Sequence, residues 1–316
     1  MTKRILVILR KLYSYKLSIL IAAVIFLFFL FSTWFIKGYL PFNVPSAFGT
    51  DWKGTFRDAC LVLLSGRSPY TIPTFFNPAW VLLPLLPVAL LSPALGSAVM
   101  FVLNIFSYIF VMSKLRTNVA LMFIFLVSSG MIVNSIFGNL DGLVALGFIL
   151  PPQIGLFFVL AKPQIGIAAA IFWLIESWRN GGFRLVVKVF LPVTTAVLIS
   201  VLIFGPWFMY SSHVIQAEWN VSAWPNGIPV GILFLVLAVW KREIKFAIAA
   251  SPFFAPYLAI HSWAIVWLGL LSIIPNHFFK DLVMSFRSSS FIKDYITKNY
   301  SVIEENLFVS QIGHDL

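Results

Sequence analysis

Long apolar runs separated by short clusters of charge set the plan of this chain. The first run, residues 17–36, follows the basic segment MTKRILVILRKLYSYK and has about the 20 residues a helix needs to cross a bilayer. It is longer than the core of a signal peptide and no small-residue cleavage site follows, so it reads as a retained transmembrane helix. Further runs at 95–113, 119–137, 140–150, 154–161, 165–178, 185–210, 228–240, 246–257 and 262–274 bring the expected total to about ten spans. Several are short, and the boundaries between residues 138 and 180 are the least sharp. The run at 79–91 is punctuated by Pro84 and Pro87 and preceded by Pro78, which predicts interfacial helices rather than a span.

Composition agrees. The chain of 316 residues is 60% hydrophobic and only 10% charged, which excludes a water-soluble domain and predicts an all-α, polytopic integral membrane protein. The expected organisation is one transmembrane domain over 1–279, with a first outer loop at 37–93 carrying interfacial helices, and a cytoplasmic tail at 280–316. The net charge of +11 would suggest nucleic acid in a soluble protein. Here the basic residues sit between apolar runs as membrane topology requires. With an even number of spans both termini are cytoplasmic, and of the 22 Lys and Arg only Lys37, Lys53, Arg57, Arg67 and Lys162 fall on the outer side.

Three of those five exceptions lie in one stretch, GTDWKGTFRDACLVLLSGRSPY, residues 49–70. The lone Cys60 forms no internal disulfide. The sequence has no zinc-ligand spacing, no dinucleotide or phosphate-loop fingerprint and no nucleophile triad, so neither a metal nor a cofactor is expected. Attention therefore falls on outer-side acids (Asp51, Asp58, Asp141, Glu218) and cations. Each has a plain alternative. Lys162 between two apolar runs could snorkel to the interface, and Arg67 could cap the end of a short helix. Asp141 could accept from the free amides at the start of its helix. Tyr70, Trp80, Trp219 and Trp224 fit an interfacial aromatic belt, and His213 and His261 sit near outer ends of spans.

The ordered motifs TDW, LLSGRSPY, FFNPAW, GNLDGLVALG and LAKPQIG resemble glycosyltransferase family 87, within the GT-C superfamily of polyprenyl-phosphate-sugar-dependent transferases that includes bacterial mannosyltransferases. The resemblance covers about residues 51–162, with SPFFAPYLAIHSW looking like a later family segment. Ala79 stands where many relatives have a second proline, and GNLD where a Gly-Gln pair is usual. The resemblance implies a catalytic aspartate in the first outer loop, which matches Asp51, with Asp58 as the runner-up base. It implies that the Lys-Pro-Gln turn holding Lys162 faces the lipid phosphate. Read from the residues themselves, Arg67 could fork onto the phosphate as a bidentate donor, and Lys53 and Arg57, which the interfacial loop can solvate, are further candidates. Trp52, Tyr70, Gln164, His213 and His261 are candidate substrate contacts.

The function this implies is transfer of one sugar, mannose or another hexose or pentose, from a polyprenyl-phosphate donor to a lipid or glycan acceptor. It would proceed with inversion, on the outer face of a bacterial inner membrane, without metal. A base for the acceptor hydroxyl and cations for the departing phosphate are what that chemistry needs. A transporter or lipid flippase would also keep charge at membrane depth, and a non-catalytic subunit could bind the same lipid carrier.

Overall fold

The computed structural model describes residues 47–209, 215 and 217–275, and every regular element among them is helical. The chain divides into two compact units. The described residues up to Ile274 belong to the one running from Phe31 to Ile274. The expected first helix, Lys37, His213 and the tail at 280–316 lie outside the described residues.

The outer loop is built from short pieces, as its prolines and glycines predict. A π-helical turn, Trp52–Arg57, leads into α1 (Asp58–Leu64); 3₁₀ turns follow at Pro69–Thr71 and Ala79–Leu85, then α2 (Leu86–Ala89). Next comes α3 (Pro93–Lys114), started by Pro93 and by Ser92, whose hydroxyl accepts from the Leu95 amide. Its residues Gly96, Met100, Asn104 and Tyr108 recur every fourth position and are buried, whereas Val102, Phe106 and Phe110 on other faces are exposed. A helix apolar outside and partly polar inside is arranged for lipid rather than for water.

Two helices, α3 and α8 (Pro163–Phe204), are long and apolar enough to cross a membrane. The second is not straight. Gly182 adopts φ 57° and ψ −153°, which breaks it into arms 163–181 and 183–204, at the place where the charge pattern predicts a turn between two spans. The expected span at 119–137 is built from two helices, α4 (Val119–Leu126) and α5 (Ser129–Phe137), bent by 58° and together apolar and long enough for one broken span.

The runs at 140–150 and 154–161 are helical but are not spans. They form α6 (Asp141–Gly147) and α7 (Pro152–Val159), of 7 and 8 residues, too short to cross a bilayer. Broken helices are stable at membrane depth only where protein surrounds them. Asn139 and Asp141 on this stretch are accordingly buried. The remaining described elements are α9 (Ile228–Lys241), α10 (Ile244–Ala250) and α11 (Ala264–Ile273), with 3₁₀ turns at Ser251–Phe254 and Ile260–Trp263.

Candidate functional site

Two chain reversals bring the site together. At the end of α5, Gly138 takes the left-handed conformation with φ 69°, and its amide and that of Asn139 return to the carbonyls of Ser135 and Asn134. A side chain there would also strike Trp52, since a Cβ on Gly138 would lie 2.9 Å from the Trp52 Cβ. The Gly49 amide donates to the Ile136 carbonyl at 2.7 Å, tying the outer loop to the same corner. Asp51 is thereby set against Asn139. The second reversal is the turn between α7 and α8, where Lys162 is the N-cap residue and Pro163 the first helical one.

The polar groups at this junction form a chain. Asn139 Nδ2 donates to Asp51 Oδ2 at 2.6 Å, and Asn139 Oδ1 accepts from Lys162 Nζ at 3.0 Å and from the Leu140 amide at 2.6 Å. Lys162 Nζ also donates to Asp141 Oδ1 at 2.5 Å and to Ser262 Oγ at 3.0 Å. Asp141 is fully buried, and its other oxygen lies 4.0 Å from His261 Nε2. Asn104 braces the arrangement from α3: its amide nitrogen donates to the Asn139 carbonyl, and its oxygen accepts from the Gly142 amide.

A cavity of about 360 Å³ opens beside this chain. Asp51, Asn139, Lys162 and His261 line one part of it; Phe56, Phe76, Phe137, Trp219 and Tyr257 supply aromatic walls. Trp219 meets Tyr257 edge-on, with ring centroids 5.0 Å apart. The segment carrying Trp219 is held by Asn220, whose side chain donates to the carbonyls of Ile215 and Pro256 and accepts from the Ser222 and Leu258 amides. Among the described residues Asp51 Oδ1 accepts no hydrogen bond, so the half-buried carboxylate keeps one oxygen for a ligand.

Several expected site residues lie elsewhere. Asp58 does not line the cavity: residues 52–57 are wound as a π-helix, whose wider turn means that seven residues no longer make two full turns, so Asp58 leaves the face of Asp51. Trp52 is completely buried and its indole nitrogen fills the space over Gly96, which makes it packing rather than a substrate contact. Tyr70 donates to the Asn77 carbonyl and stacks on Trp207, and neither it nor Gln164 is on the cavity wall. Burial raises the Tyr70 hydroxyl well above its ordinary pKa.

The expected phosphate ligands are likewise displaced. Arg67 is exposed and its Nε donates to Ser65 Oγ within its own turn. Arg57 reaches the Leu91 carbonyl at 3.4 Å, and neither it nor Lys53 lines the cavity. Lys162 does not snorkel: it is 6% exposed. An ammonium has three N–H bonds, and here Asn139, Asp141 and Ser262 take all three, which leaves none for a phosphate. Asp141 does not cap its helix, having no side-chain bond of that kind, and serves as the countercharge of Lys162.

Asn77, Asn139, Tyr257 and Ser262 belong to the site, and reading the sequence alone missed them. Asn77 donates to the Ala161 carbonyl at 2.9 Å and so fastens the outer loop to the Lys162 turn. The legible signal for Asn139 was a polar residue directly after a glycine at the end of an apolar run, inside the GNLD motif. Among the described residues no group of three or more His, Cys, Asp and Glu is placed to hold a metal. Compared with known proteins, the chain matches no family model, no curated protein and no solved structure.

Proposed function

We propose that the protein is a membrane glycosyltransferase of GT-C type that moves one sugar from a polyprenyl-phosphate donor to a hydroxyl acceptor on the outer face of a bacterial inner membrane. The observation that carries this reading is Asp51: a carboxylate on the wall of a sugar-sized cavity, with one oxygen held by Asn139 and the other without a partner among the described residues. Asp51 takes the proton of the acceptor hydroxyl as its oxygen bonds to the anomeric carbon. The bond from that carbon to the phosphate oxygen breaks in the same displacement, the electron pair leaves with the phosphate, and the configuration inverts. Aromatic walls suit the apolar faces of a sugar ring. His261 lines the same cavity and is the residue assigned to meet the departing oxygen. A polytopic topology with cytoplasmic termini, counted without the short helices α6 and α7 and so still even, belongs to the same proposal.

A buried Asp–Lys pair with a histidine beside it is also what a transporter keeps at membrane depth, and Asp141, Lys162 and His261 favour that as the second reading. Purified protein with a short-chain polyprenyl-phosphoryl mannose and an alkyl mannoside acceptor separates the two. The transferase reading expects turnover in wild type and a loss of about a hundredfold or more in Asp51→Asn with donor binding kept. Equal turnover in Asp51→Asn removes the base and the reading with it.

A further inference from the structure

We infer that Lys162 acts on Asp51 through Asn139, as a positioning residue that fixes the carboxylate for reaction, and is not a ligand of the donor phosphate; this rests on the transferase reading above. The argument begins with the two ends of one amide. Asn139 offers an acceptor oxygen and a donor nitrogen, which are told apart by their partners. Lys162 has only protons to give, so the group it meets at 3.0 Å must be the amide oxygen. The Leu140 amide, also a donor, meets the same oxygen. The nitrogen must then face Asp51, and its 2.6 Å contact requires an acceptor there. A turned amide would place its NH₂ against an ammonium and its oxygen against a carboxylate, two repulsive contacts in a site shielded from water.

Lys162 is itself fixed. It stands at the start of α8, where the helix dipole disfavours a cation. What keeps it there is the fully buried Asp141, with Ser262 filling its third donor position. The order of control therefore runs from Asp141 to Lys162 to Asn139 to Asp51. At the end of that series one oxygen of a carboxylate that lines the cavity is held in place. Misplacement of a reacting group by about 1 Å costs on the order of a hundredfold in rate, so a group that never touches substrate can govern turnover in this way.

The test uses full-length protein in detergent or nanodiscs. The variant is the pair Lys162→Met/Asp141→Asn, which removes both charges so that neither is left buried alone; Asn139→Leu is the second variant. The probes are farnesyl phosphate for binding and farnesyl-phosphoryl mannose for transfer. Positioning predicts a farnesyl phosphate Kd and a donor KM within about twofold of wild type, with kcat lower by about tenfold to a hundredfold in both variants. A Kd or KM raised about tenfold with kcat kept would make Lys162 a phosphate ligand and overturn the inference.

A readout that needs no turnover comes from thermal stability. Combining Asp51→Asn with the single Lys162→Met change should give Tm losses that fail to add, because both changes act on the same amide. The reciprocal pair Asp51→Asn/Asn139→Asp should regain the Tm of wild type, since the amide and carboxylate exchange places and Lys162 still meets an oxygen, while transfer stays lost. Additive Tm losses overturn the positioning role whatever the activity. Coupled stability in a protein whose wild type transfers no sugar sustains the positioning role and brings down the transferase reading.

Discussion

Replacing Lys162 by Met distinguishes a buried ion pair from a lysine at the interface by the sign of the stability change. The substitution keeps the apolar stem and removes the charge. For a lysine that merely snorkels, loss of a charge with an insertion cost of about 2.5 to 3.5 kcal/mol would leave the protein unchanged or more stable. In the structure the Lys162 side chain is 7% exposed and that of its partner Asp141 0%. Removing one member of such a pair leaves the other charged and without a partner, which costs about 3 to 5 kcal/mol. At about 2 to 4 °C per kcal/mol for a domain of this size, Tm should fall by about 6 to 20 °C. Adding Asp141→Asn removes the orphaned charge and should recover most of the loss, because replacing a whole buried pair is close to neutral. The assay is thermal unfolding of detergent-solubilised protein followed by tryptophan fluorescence, with size-exclusion elution as the control for folding. A single Lys162→Met variant as stable as wild type, or no recovery in the double variant, would refute the pairing.

Gly138→Ala should lower stability by at least about 1 to 2 kcal/mol, the cost of a left-handed conformation for a residue with a Cβ, and more because that Cβ meets Trp52; unchanged Tm would contradict the corner described at Asn139. Burial pushes the Cys60 thiol up to about 12, so at pH 8 only on the order of one thiol in ten thousand is ionised. Maleimide should therefore label Cys60 only after denaturation, and ready labelling of native protein would show the outer-loop packing to be wrong. In a Cys60→Ser background, a cysteine replacing the exposed Arg67 should be tagged in intact cells by an impermeant reagent, and one replacing Asn180 should not. The reverse pattern would invert the topology and move the proposed site to the other face.

The membrane character of the chain was readable from sequence because it depends on local properties: the length and apolarity of runs, and the sign of the charges between them. The same local reasoning located α3 almost to the residue, the break at Gly182 and the short helices of the proline-rich outer loop. It also placed Asp51 among four outer-side acids, from which the family resemblance picked it. What it could not supply was which groups meet. Lys162 and Asp141 are 21 residues apart and Asn139 and Asp51 are 88 apart, and their contacts exist only because α5 reverses at Gly138 and the α7–α8 turn returns Lys162 to the same place. A lysine flanked by apolar residues reads identically whether it snorkels or is buried against a carboxylate. The burial of its partner and the exhaustion of its three donors are properties of the assembled fold. The winding of residues 52–57 as a π-helix is likewise a tertiary outcome, and Asp58, which follows it, does not line the cavity that Asp51 lines.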